Sequence, residues 1–110
     1  MTVKQLAEAL QLKVFSGESG LSKVVTGGYV SDLLSDVMGN AMEGQAWVTL
    51  QTHKNVMAVA SLKDLSAVIL VKGLIPEEDT IAQSNEEGLP ILGSGDHTFE
   101  LSGKLYKLIE

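Results

Sequence analysis

The sequence predicts an α/β fold with a mainly parallel sheet in three layers, α/β/α. Three observations carry that expectation. Short apolar runs alternate with helical patterns of about ten residues, the rhythm of βα units. Ala67-Val68-Ile69-Leu70-Val71 is apolar without a break, as in a strand covered on both faces. Right-handed crossovers between such units place helices on both sides of the sheet.

Taken in order, Thr2-Val3-Lys4-Gln5 has the form of a capping box, and Val3, Leu6, Ala7 and Leu10 follow at helical spacing, so residues 2–10 are read as a helix. Leu12 to Phe15 is read as a short strand and Ser16 to Ser22 as a loop with Gly17 and Gly20. Lys23-Val24-Val25-Thr26 is read as the next strand, broken by Gly27-Gly28. Ser31 is placed as the cap of a helix, with Asp32 in its first turn, an apolar face of Val30, Leu33, Leu34, Val37 and Met38, and Gly39 just past its end. Ala46 to Leu50 is a strand, Gln51-Thr52 a turn, and Thr52 the cap of a helix from His53 to about Lys63. Val56, Val59, Ala60 and Lys63 share one face of that helix. Lys72-Gly73 ends the strand at 67–71. Pro76 suits the first turn of a helix whose start is enriched in Glu77, Glu78 and Asp79 and whose stop is Gly88. Leu89 to Leu92 is a short strand, Pro90 marking its start or an edge. Thr98 caps a last helix that turns Leu101, Leu105 and Leu108 inward.

The chain has 110 residues, 45% of them hydrophobic and 20% charged, with a net charge of −6. That is the size of one domain, 1–110, with a modest core that dimerisation would assist. All eight basic residues are lysine. A nucleic-acid reader needs a basic face, so nucleic acid is not expected as a partner. Without arginine, the bidentate fork that grips phosphate or carboxylate is missing, and an anion site must use amides, hydroxyls, histidine or lysine. With no cysteine, disulfides, thiolate metal sites and cysteine nucleophiles are excluded. The amphipathic start and the lack of a run of about 20 apolar residues point to a cytoplasmic protein with no membrane partner.

In open α/β sheets ligands bind outside the carboxyl ends of the strands. Three loops are read as meeting that description and gathering at one edge: Thr26-Gly27-Gly28-Tyr29 running to Ser31; Thr49 to Asn55, with Gln51, Thr52, His53 and Asn55; and Val71-Lys72-Gly73. The glycine pair permits close ligand approach, but it fits a tight strand-to-helix turn equally, and it matches neither a dinucleotide fingerprint nor a P-loop. Thr52 is read as a cap. His53 is either an anion or pH-sensing group or part of a solvated turn. His97 is read as a loop residue. Asp32 and Asp36, one turn apart, could share a cation but are read as a solvated face, as are Glu77, Glu78, Asp79, Glu86 and Glu87. No metal-ligand spacing and no catalytic constellation emerge, and no serine sits in a nucleophile elbow. Met38, Met42, Met57 and Trp47 are read as core or interface residues.

The runs Thr26-Gly27-Gly28-Tyr29-Val30-Ser31-Asp32-Leu33-Leu34-Ser35-Asp36-Val37-Met38 and Trp47-Val48-Thr49-Leu50-Gln51-Thr52-His53-Lys54-Asn55 resemble stand-alone proteins of the DRTGG-domain family, which is similar to the N-terminal domain of HPr kinase/phosphorylase. Related domains occur in some phosphotransacetylases and between the CBS domains of some pyrophosphatases. The resemblance implies a three-layer α/β fold, frequent self-association as a homodimer and a regulatory role linked to a nucleotide or another small anionic ligand. It implies neither kinase nor acyltransferase activity. The family's Asp-Arg turn aligns with Thr52-His53 and its Thr-Gly-Gly turn with Val71-Lys72-Gly73, where Gly73 alone is retained. The expectation is therefore a non-enzymatic regulatory or ligand-binding module without a cofactor. A protein-interaction subunit is the alternative, and a small hydrolase or transferase using Thr52, His53 or Asp32 comes third.

Overall fold

The computed structural model describes residues 1–110. Five strands form one sheet in the order β1-β5-β4-β3-β2: β1 (Lys13–Ser16), β2 (Gly27–Val30), β3 (Gln45–Thr49), β4 (Ala67–Leu70) and β5 (Ile91–Gly93). β2 to β5 run parallel, and β1 pairs with β5 antiparallel. The helices are α1 (Val3–Ala9), α2 (Leu34–Asn40), α3 (Asn55–Leu62), α4 (Glu78–Glu87) and α5 (Thr98–Ile109). No helix is long and apolar enough to cross a membrane.

Alternation along the strands splits the core in two. Ala46, Val48, Ala67, Ile69 and Leu92 meet Val3 and Leu6 of α1 and Leu101 and Leu105 of α5. The residues between them, Trp47, Val68, Leu70 and Ile91, meet Val37 of α2 and Val56, Met57 and Ala60 of α3. Two faces thus cover the central strands, as the unbroken apolar run of β4 requires. α4 joins the second layer with polar groups: Ser84 Oγ donates to the Leu89 carbonyl (2.6 Å), and the buried Ser16 and Ser84 hydroxyls meet at 2.8 Å. The capping box of α1 is present, Thr2 Oγ1 accepting from Gln5 N and Gln5 Oε1 accepting from Thr2 N.

The second strand departs from expectation. It covers Gly27–Val30, and Lys23–Thr26 lies outside it. Val25 spends its backbone on Met1 and its side chain on the α1 layer, while Val24, 60% exposed, makes only an isolated bridge to Thr2. The glycine pair lies within the strand, where α5 comes close: a Cβ on Gly28 would sit 3.0 Å from Leu105 Cδ2. Both edges of the sheet are short, but only β1 is blunted, by Lys13 and by a register shift between Val14 and Ser16.

Helix starts also differ. Ser31 does not cap α2, which begins at Leu34 after Leu33, and Gly39 lies inside the helix rather than beyond it. Thr52 does not cap α3, which begins at Asn55 after Lys54 without any side-chain cap. His97, not Thr98, is the residue before α5. Met57 is buried, whereas Met38 and Met42 are exposed.

Candidate site at the carboxyl rim of the sheet

Parallel strands in register bring their exits to one rim. Past β2 come Ser31 and Asp32, past β3 Leu50 to Lys54, past β4 Val71 to Ile75, and past β5 Ser94 to His97. Of the residues proposed from sequence, Ser31, Gln51, Thr52, His53, Asn55, Lys72 and Gly73 fall on this rim. Thr26, Gly27 and Gly28 do not. Gly27 pairs with Gln45 at the entry of β3, and Thr26 is tied to the same opposite end, its amide to the Gly44 carbonyl (3.0 Å) and its hydroxyl to the Glu43 carbonyl (2.9 Å). Gly28 therefore lies close under Leu105 of α5 while Gly27 faces Gln45, and the turn toward the rim is Ser31-Asp32-Leu33.

Asp32, expected on a solvated helix face, organises the rim. Its carboxylate accepts from Leu50 N (2.7 Å) and Thr49 Oγ1 (3.0 Å), and its carbonyl accepts from Gln51 Nε2 (2.8 Å). The buried Trp47 donates its indole N–H to the Ser31 carbonyl (2.8 Å), so both exits are braced from below. Asp36 turns elsewhere and accepts from the Tyr29 hydroxyl. The Ser31 and Tyr29 hydroxyls and the Asn40 amide hold its carboxyl below the usual carboxylate range. Burial and the neighbouring Asp36 carboxylate push the Tyr29 phenol up. No group of three or more metal-ligating side chains gathers anywhere.

The start of α3 is the rim's open hydrogen-bonding surface. The amides of Thr52, His53, Lys54 and Asn55 donate to no carbonyl of the chain, and no side chain caps them. Such a run of free N–H groups at a helix start favours negative charge. His53 Nδ1 is buried and pairs with nothing, a costly state for a polar atom. The Thr52 carbonyl faces away and receives Glu77 N (3.1 Å) and Thr80 Oγ1 (2.9 Å), anchoring the start of α4.

Lys72 and Gly73 take left-handed backbone, φ 61° and 69°. A Cβ on Gly73 would meet nothing, so conformation alone asks for glycine there. For Lys72 the same conformation is strained. It is held because Lys72 N donates to the Asp96 carbonyl (2.8 Å) and Gly73 N to the Ser94 carbonyl (2.9 Å). Sequence reasoning read Gly93 to Asp96 as leading into the loop residue His97 but did not count it among the rim loops, although its place after β5 was a visible signal.

No protein-family model and no curated protein matches this chain. Among solved structures it is similar to the CBS and DRTGG domains of the regulatory region of Clostridium perfringens pyrophosphatase, a structure complexed with an activator, diadenosine tetraphosphate. The TM-score is 0.67 at 14% identity, over 96% of this chain and 45% of that one. The likeness is one of fold, and this chain covers less than half of the neighbour's length.

Proposed function

We propose that this chain is a non-enzymatic regulatory module that binds a small anionic ligand, nucleotides foremost, at the carboxyl rim of its sheet. The observation that carries the reading is the uncapped start of α3, with four uncommitted amides beside the unpaired His53 ring nitrogen. To this site we assign Ser31, Gln51, Thr52, His53, Asn55, Lys72 and Gly73, all on the same rim. The structural neighbour, a regulatory region crystallised with a dinucleoside tetraphosphate, supports the choice of nucleotide chemistry. So does the resemblance of residues 26–38 and 47–55 to DRTGG-domain proteins and, through them, to the HPr kinase/phosphorylase N-terminal domain. The absence of cysteine fits a reducing, cytoplasmic setting. Calorimetric titration with ATP, AMP, diadenosine tetraphosphate and inorganic phosphate tests the reading. At least one should bind with Kd below about 1 mM, weakened about fivefold or more by Lys54→Met or His53→Ala. No heat from any of them at millimolar concentration overturns it.

We also propose that the module works as a homodimer through β2 and α5. β2 is the sheet's uncharged, unblunted edge, and such edges pair readily with another chain. Val30, Tyr106 and Ile109 line a groove of about 200 Å³ beside it, and Phe99 and Tyr106, seven residues apart on α5, are 84% and 70% exposed. Sedimentation analysis should give a dimer that Val30→Lys dissociates. A wild-type monomer at high micromolar concentration refutes this proposal, and a co-purifying partner protein would favour the interaction-subunit reading.

A further inference from the structure

A second cavity opens on the same rim, past β5 and β4, and shares Gly73 with the site proposed above. It holds about 240 Å³ between the start of β1, the β4–α4 loop and the β5–α5 loop, and Lys13, Phe15, Leu74, Ile75, Ser94 and Gly95 line it. We propose that this cavity binds a small organic anion, a single negative head group on a compact apolar body.

Size sets the first limit. Pockets for drug-sized ligands run from about 300 Å³ upward, so this open cleft suits a body of about one ring. Charge sets the second. Lys104 with Asp96 is the sole ion pair in the structure, so the Lys13 ammonium, like those of the other lysines, has no carboxylate partner, and its place on this cavity sets it apart. It stands 5.0 Å from the centre of the Phe15 ring, which steadies a cation at the cavity mouth. In a chain of net charge −6, an unpaired cation over an aromatic wall favours an anionic visitor locally.

The remaining walls suit the rest of such a ligand. Ile75 is 67% exposed, an apolar side chain at a loop tip that no core residue covers. Ser94 Oγ accepts from Asp96 N (3.0 Å), and its own hydrogen is uncommitted. The Gly95 amide donates to no carbonyl of the chain. Gly93 leaves room for the Phe15 ring, which a Cβ at that position would overlap. The cavity is also preformed, because the hydrogen bonds from Lys72 to Asp96 and from Gly73 to Ser94 staple its two loops together. A rigid site loses less on binding than one that must be ordered.

Amide chemical shifts of the full chain, titrated with benzoate, phenyl phosphate and neutral benzamide, test the proposal. Benzoate or phenyl phosphate should give saturable shifts at Lys13, Leu74, Ile75 and Gly95, with benzamide about tenfold weaker. Lys13→Met keeps the aliphatic stem and should weaken the anion about fivefold or more, as should Ile75→Ser; both side chains are exposed, so the unfolding midpoint should barely move. No saturable shift at these amides, equal affinity for benzamide, or an unaltered Lys13→Met overturns the proposal. Shifts confined to Thr52–Asn55 overturn it too while supporting the nucleotide site; the shared Gly73 is left out of the comparison, so the two readings fail separately.

Discussion

The carboxylate of Asp32 accepts the amide of Leu50 at 2.7 Å, tying the exit of the edge strand β2 to the exit of β3. The same carboxylate takes the Thr49 hydroxyl, so one exposed side chain sets the spacing of two rim loops. Asp32→Ala should cost about 1 kcal/mol, the usual worth of such hydrogen bonds after solvent exchange. Asp32→Asn, which keeps an acceptor, should cost less. Denaturant unfolding checks both, and equal losses for the two variants would assign the effect to something other than these bonds.

Two glycines should respond differently to alanine. At Gly93 the added Cβ runs into the Phe15 ring, and overpacking of this kind costs about 1–3 kcal/mol. At Gly28 the nearest atom is Cδ2 of Leu105 at 3.0 Å, which need give only slightly, so the loss should be at most about 1 kcal/mol, the low end of that range. Phe15→Leu should restore part of the Gly93→Ala loss in urea unfolding. A larger loss at Gly28 than at Gly93 would contradict the packing described for α5 and β1.

Lys72 sits at φ 61°, where a Cβ is unfavourable. Lys72→Gly removes that strain but adds freedom to the unfolded chain, for a net gain of about 0.5 kcal/mol. If Lys72 serves the rim's anion site, the same variant should bind nucleotide more weakly. A thermal melt and a titration on one sample separate the two effects, and a stabilised variant with undiminished affinity would remove Lys72 from the site.

The Tyr29–Asp36 pair predicts a pH signature with two arms. Asp36 is held below its usual 3.8, so its contribution to stability is present above that value and is lost as pH falls through the lowered folded value. Tyr29 is raised above its usual 10.0, so its contribution is present below that value and is lost as pH rises through the raised one. The stability advantage of the wild type over Tyr29→Phe should therefore be flat near neutrality and shrink at both extremes. Unfolding midpoints measured from about pH 2 to about pH 11 check this, and a constant difference would mean that the two groups do not communicate.

Much of the architecture was legible because period and burial agree: β4 is apolar throughout and buried throughout, and the capping box of α1 formed as written. The misread segment, 23–30, shows where such reading stops. Val24 and Val25 carry stronger strand propensity than Gly27 and Gly28, yet pairing with β3 and the close approach of α5 decided the strand, and neither is local. The carboxyl rim was located for β3 and β4, whose apolar runs end where the strands end. It was misplaced for β2 because a shift of about four residues exchanges one end of the sheet for the other. Thr52 and Ser31 were read as helix caps as well as rim residues, and Asp32 as part of a first helical turn. Their bonds instead run to Glu77, Trp47 and Leu50, partners that only the tertiary fold brings near.

The central claim is that this fold takes an anion at the carboxyl rim, and amide shift mapping with ATP and inorganic phosphate tests it most directly. The account predicts saturable shifts centred on Thr52, His53, Lys54 and Asn55, with Ser31, Lys72 and Gly73 following and Thr26, Gly27 and Gly28 unmoved. Shifts centred on residues 26–28, at the other end of the sheet, or no shift at all at millimolar ligand, would contradict it.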